Sequence, residues 1–189
     1  MTLGKSAAIH RTLEAAAGVP TVFTTGYASR IGLAAEDRPS NFYMTGSMGL
    51  ALSVGIGLAM TTRRRTLVVD GDGSLLMNPS GLITAGASDS LPLLHLLLND
   101  GVYDSTGGQA SPGHRVDLAA WAQAAGYPFV VTVSTTEELT LALETALRLP
   151  QTLSLIQCLV SPDATAPPPR VTEDLKGIAA RFAASVQPQ

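Results

Sequence analysis

Short β-branched or leucine-rich runs alternate with longer segments of helical periodicity along most of the chain. Residues 3–17 predict a helix closed by Gly18, with Pro20 beyond it. A strand is expected over 21–24, then a helix with Ser29 as its cap. Strand 41–45 leads into a helix over 49–61, where Ala51, Ser53, Gly55, Gly57 and Ala59 favour close packing. Strand 66–69 precedes a mainly helical stretch over 74–88, with Pro79 near its first turns. The run 93–98 is apolar on both faces, as a central parallel strand is. A polar, glycine-rich loop fills 100–115, followed by a helix over 116–125 and a strand over 129–133. Thr135 and Thr136 before Glu137-Glu138 start a helix over 136–149, and a strand covers 153–159. A proline-rich linker, 161–170, joins a C-terminal helix and tail over 171–189.

Strands and helices at this spacing predict an α/β fold: a three-layer α/β/α sandwich around a mostly parallel sheet. There is no internal repeat, and 189 residues suit a single domain, 1–189. In such sheets ligands bind at the carboxyl ends of the strands. Gly26, Gly46, Gly71 and Gly101 all follow strands, which would form a ledge open to close backbone approach.

Composition narrows the classes. The chain is 46% hydrophobic and only 14% charged, so it has a core and a surface suited to a covering partner. A net charge of -3 leaves no footprint for nucleic acid. The single cysteine, Cys158, excludes a disulfide framework and reads as core. The apolar region 48–60 contains Gly49, Gly55, Gly57 and Ser53 and is too short to cross a bilayer. No secretory signal is evident, so a cytoplasmic protein without membrane association is expected.

The chemistry concentrates at Gly71-Asp72-Gly73-Ser74 and Asn99-Asp100. Each group ends an apolar strand, so adjacent parallel strands would bring both to one sheet edge. Asp72 with Asn99 or Asp100, plus a backbone carbonyl, offers hard oxygen ligands to Mg²⁺ or Ca²⁺. Ser74 at a helix start favours an anion. Together they predict metal-assisted diphosphate binding, although Gly-Asp-Gly alone is an ordinary turn sequence.

The longer pattern resembles the thiamin diphosphate signature, in which Gly-Asp-Gly is followed at an interval by Asn-Asn. Gly46-Ser47-Met48-Gly49, Thr24-Thr25-Gly26-Tyr27, 41–44 and Tyr103 to Gln109 extend the likeness. Over about residues 20–160 the chain is similar to the diphosphate-binding domain of the phosphonopyruvate and sulfopyruvate decarboxylase group. The resemblance implies thiamin diphosphate with Mg²⁺, or Ca²⁺ or Mn²⁺ in its place. Asp72, Asp100 and the Val102 carbonyl would be the metal ligands. Asn99 with the Gly101 carbonyl is the competing set, because this chain reads Asn-Asp where the group usually has Asn second. Gly71, Gly73 and Ser74, with Thr25, Gly26, Tyr27 and Ser105, would hold the diphosphate. The Gly46-Ser47 turn would meet the aminopyrimidine, and Met48 would be the wedge beneath the bent cofactor.

Members of this group also need a glutamate from a separate pyrimidine-binding domain. The glutamates here, Glu14, Glu36, Glu137, Glu138, Glu144 and Glu173, read as solvated surface. The resemblance therefore implies a β-type subunit of a split decarboxylase, completed by a pyrimidine-binding α-type subunit in a heterodimer or heterotetramer. Its substrate would be a 2-keto acid, a pyruvate bearing phosphonate or sulfonate. Arg30 and His114 are candidate anion contacts, and His114 a candidate proton donor. His95 reads as a satisfied core histidine and His10 as surface. Ala110-Ser111 replaces the group's Pro-Thr, and Ile31 its Glu, which keeps two alternatives open. One is a carboligase of the acyloin or acetolactate type; the other is a non-catalytic cofactor-binding scaffold.

Overall fold

The computed structural model describes residues 3–88, 90–161, 163, 166–172 and 174–187. Its core is a six-stranded sheet made of β1 (Thr21–Phe23), β2 (Asn41–Tyr43), β3 (Thr66–Gly71), β4 (Leu93–Asn99), β7 (Phe129–Val133) and β8 (Ser154–Leu159). Two short strands, β5 (Val102–Tyr103) and β6 (Gln109–Ala110), form an antiparallel hairpin after β4. The sheet order is β2-β1-β3-β4-β8-β7, and every pair in it is parallel.

Side chains alternate between two layers. Leu94, Leu96 and Leu98 of β4 join Ile9, Leu13, Ile31, Leu139 and Leu143 beneath α1 (Lys5–Ala15), α2 (Tyr27–Ala35) and α7 (Thr136–Leu147). Leu93 and Leu97 face the opposite layer. That layer is built by α3 (Ala51–Thr62), α4 (Asp72–Met77), α5 (Ser80–Gly86), α6 (Leu118–Ala124) and α8 (Leu175–Ser185). Each fully buried leucine contributes about 1.5–3 kcal/mol. The small residues of α3 do permit close approach: a Cβ on Gly55 would lie 2.1 Å from Val68. No helix among the described residues is long and apolar enough to cross a membrane.

Several local expectations need correction. Residues 74–88 form two helices, because the chain breaks at Asn78 and Pro79. A residue before proline avoids helical backbone, and Asn78 is accordingly at φ -150 and ψ 67. Ser29 does not cap α2, which starts two residues earlier with Gly26 (φ 91) at its cap. Instead Ser29 is buried and its hydroxyl donates to the carbonyls of Thr24 (2.8 Å) and Met44 (2.9 Å), tying β1 to β2. The loop 100–115 contains the β5–β6 hairpin. The start of α7 is as expected: Thr135 and Glu138 form a reciprocal capping box.

Candidate functional site

Topology selects the edge. From β1 the chain passes through α2 to β2 on one side, then through α3 to β3 on the other. The strand order therefore reverses at β1, and the crevice beyond β1 and β3 is where such sheets bind ligands. A cavity of about 70 Å³ lies there. It is lined by Thr25, Tyr27, Met48, Gly71, Asp72, Gly73, Ser74, Asp100, Val102 and Ser105, together with Lys5 and Asp104. The structure thus brings together most of the residues singled out in the sequence.

Asp72 opens α4 and is buried. Burial raises its pKa, partly offset by the Ser111 hydroxyl, the Gly73 N–H and the nearby Lys5 charge. Ser111 is itself buried and donates to Asp72 Oδ2. Asp100 is likewise raised chiefly by burial, against the lowering effect of Lys5. Its Oδ1 accepts the Val102 N–H at 3.3 Å, which folds the turn back on itself. Its Oδ2 lies 2.5 Å from the Lys5 ammonium yet off the hydrogen-bonding direction, so it is a buried oxygen with unmet capacity. Asn99 turns elsewhere: its Nδ2 donates to the Gly113 carbonyl at 3.3 Å, and it does not line the cavity.

The floor is tight. A Cβ on Gly73 would lie 2.4 Å from the Tyr103 ring and 3.4 Å from the Met48 methyl. Ser74 shares a 2.8 Å hydrogen bond with Thr24 and accepts the Gly49 N–H at 3.2 Å, so its hydroxyl is fixed. Met48, 38% exposed, lines both this cavity and a second one of about 370 Å³. Gly26, Arg30, Ser105 and Arg170 also line the larger cavity. Gly46 and Ser47 are exposed and line neither cavity, although they lie between Thr45 and Met48, which line the larger one; Ser47 is in left-handed backbone (φ 56).

Two hard carboxylates, an under-satisfied buried oxygen and a floor that only glycine fits suit a divalent cation with an anionic group. Among the described residues no cluster of three or more His, Cys, Asp or Glu is arranged to hold a metal. Backbone or ligand oxygens would therefore complete such a centre.

The other candidates are dispersed. Arg30 lies 4.9 Å from the Tyr27 ring centroid and donates to the Pro168 carbonyl at 2.5 Å. His114 is exposed in the turn Pro112–His114 and lines neither cavity. Glu14, Glu36, Glu137, Glu138 and Glu144 are exposed, and Glu173 lies outside the described residues. Cys158 is buried, its thiol pushed up to about 12 by desolvation. His10 is on the surface, as expected. His95 is in the core but not satisfied: neither ring nitrogen has a hydrogen bond, and Nε2 is 3.5 Å from Asp70. Lys5 and Arg170 were not singled out in the sequence, because each reaches the site from a segment with no motif of its own; Asp104 and Ser111 stood in quoted segments without a role at the carboxylates.

Over most of its length the chain is similar to known proteins. The family described as thiamine pyrophosphate enzyme, C-terminal TPP binding domain, matches residues 24–158. A phosphonopyruvate decarboxylase from Streptomyces viridochromogenes is 46% identical over 142 residues, covering 75% of this chain but 36% of that protein. The sulfopyruvate decarboxylase subunit beta of Methanothermobacter thermautotrophicus is 40% identical over 127 residues, covering 67% and 69%. In fold the chain is similar to benzoylformate decarboxylase from Polynucleobacter necessarius, with TM-score 0.68, 21% identity, and coverage of 85% and 34%. The chain thus spans only about a third of the phosphonopyruvate decarboxylase it matches. By the extent of the family match, the chain belongs to the thiamine pyrophosphate enzymes as a C-terminal TPP-binding domain.

Proposed function

We propose that the chain is the β-type, diphosphate-binding subunit of a split thiamin diphosphate-dependent decarboxylase. Its substrate would be a pyruvate substituted with sulfonate or phosphonate. The observation that carries this is the convergence of Asp72, Asp100, Gly73 and Ser74 on one cavity, with Met48 standing between it and a larger one. The relatives named as phosphonopyruvate decarboxylase and sulfopyruvate decarboxylase subunit beta support the activity and the subunit role.

Asp72 and Asp100, with the Val102 carbonyl, would hold Mg²⁺, Ca²⁺ or Mn²⁺. The turn of Asn99 towards Gly113 favours Asp100 over Asn99 in that set. Thr25, Tyr27, Gly73, Ser74 and Ser105 would receive the diphosphate oxygens, and Gly71 and Gly26 leave room for them. The bound cofactor supplies the electron sink that decarboxylation of a 2-keto acid needs. Met48 would prop it from below, and the Gly46 carbonyl would accept a hydrogen bond from its aminopyrimidine. Arg30 and Arg170 line the larger cavity and suit an anionic substituent.

All five described glutamates are exposed, and none lines either cavity. That supports a pyrimidine-binding α-type partner as the source of the activating carboxylate. The test is release of CO₂ and aldehyde from sulfopyruvate and phosphonopyruvate, by the chain alone and with an α-type subunit. Turnover only in the mixture is expected. Full turnover by the chain alone would sink the split-enzyme reading, and cofactor binding without turnover in the mixture would leave a scaffold.

A further inference from the structure

One group at the cavity has no place in that reading. Lys5 is a buried cation, 9% exposed, in the first turn of α1. Its Nζ lies 2.5 Å from Asp100 Oδ2 and 2.5 Å from Asp104 Oδ2. It also lies 5.8 Å from the centre of the Tyr27 ring. Among the described residues Lys5 is the sole cationic side chain lining the cavity, against the carboxylates of Asp70, Asp72, Asp100 and Asp104. The two paired carboxylates hold the ammonium in place at the cavity wall.

The backbone behind Lys5 is fixed from several directions. The Leu3 N–H donates to the Ser134 carbonyl (3.1 Å), and the Ser161 N–H donates to the Leu3 carbonyl (2.9 Å). Gly4 bridges to Ser161, and the Ser6 hydroxyl donates to Asp163 at 2.6 Å. The N-terminal segment is therefore stapled beyond the ends of β7 and β8, and the side chain enters the cavity from a held position. An ammonium has three N–H donors; Asp104 accepts one of them, and Asp100 pairs with the charge without taking a second.

We propose that Lys5 is a cofactor-site residue: a tethered cation that neutralises Asp100 and Asp104 and presents positive charge to the diphosphate. This rests on the reading of the cavity as the metal–diphosphate site. The charge arithmetic gives opposite signs for two ligands. Without Lys5, a divalent cation alone meets less repulsion and freer carboxylates, whereas the diphosphate meets uncompensated negative charge.

The test compares the full chain with Lys5→Met and Lys5→Arg. Mn²⁺ binding without cofactor is read by the electron spin resonance of free Mn²⁺. Thiamin diphosphate binding at saturating Mg²⁺ is read by calorimetry. Lys5→Met is expected to weaken thiamin diphosphate about tenfold while tightening Mn²⁺. Lys5→Arg keeps the charge and should stay within about threefold of wild type for the cofactor. If wild type binds both ligands and Lys5→Met changes neither affinity, or weakens both while the thermal midpoint falls, Lys5 is only structural and the inference is overturned. If wild type binds neither Mn²⁺ nor thiamin diphosphate, the reading of the cavity itself fails and takes the inference with it.

Discussion

Two inward-reaching cations hold opposite edges of the sheet. At the amino edge, Arg65 donates to the carbonyls of Thr152 (2.5 Å), Leu149 (3.2 Å) and Ala146 (3.2 Å). Its surroundings are neutral backbone, and desolvation pushes its guanidinium down to about 10. At the carboxyl edge, Lys5 meets carboxylates, and its pKa moves up despite burial. Burial is therefore common to both, and the charge of the neighbours separates them. Neutral acceptors make Arg65 a clamp on the turn between α7 and β8. Charged acceptors make Lys5 part of a ligand site whose electrostatics change when a ligand arrives.

Breaking the carboxyl edge should have the largest effect on ligands. Asp72→Asn is expected to weaken Mg²⁺-dependent thiamin diphosphate binding about a hundredfold or more, because one buried charge of the metal centre is lost. Calorimetry checks this; affinity within threefold of wild type would remove Asp72 from the ligand set. Breaking the amino edge should affect folding alone. Arg65→Met leaves the half-buried carbonyls of Thr152 and Ala146 without that donor and should cost about 2 kcal/mol in urea unfolding, with cofactor affinity unchanged. A fall in cofactor affinity there would mean that the two edges are coupled.

A milder probe of stability sits at the start of α7. Thr135→Ala removes the cap of α7 and should cost about 1 kcal/mol, again without effect on ligand binding. The smallest expected effect concerns pH. Burial raises the pKa of both Asp72 and Asp100. In the metal-free chain the folded state therefore takes up these protons before the unfolded state does. Their contribution makes stability rise as pH falls from the raised values towards the ordinary value of about 3.9, is fully present below that, and is lost as pH rises through the raised values. Asp72→Asn should flatten part of this slope in unfolding measured from pH 7 to pH 4. An unchanged slope would mean that Asp72 titrates normally.

Much of the architecture was legible because its signals are local. A run apolar on both faces places Leu93 to Leu98 in a buried parallel strand, and Thr135 with Glu138 marks the start of α7. Ser29 was misread because a serine near a helix start looks the same whether it caps or tethers two strands. His95 was misread because its missing partners depend on what surrounds it in the folded core. Ala110-Ser111, standing where the group has Pro-Thr, kept the reaction type open. In the fold Ser111 is buried against Asp72, so that position bears on the carboxylate.

By itself, then, the sequence determined the α/β class and the edge that carries Asp72, since strand periodicity and a Gly-Asp-Gly turn are properties of neighbouring residues. Only the tertiary structure decided that Asp100 faces the cavity while Asn99 turns to Gly113. It alone brought Lys5 to within 2.5 Å of Asp100, across ninety-five positions of chain. Charge balance depends on distance in space, and no spacing along the chain encodes that distance.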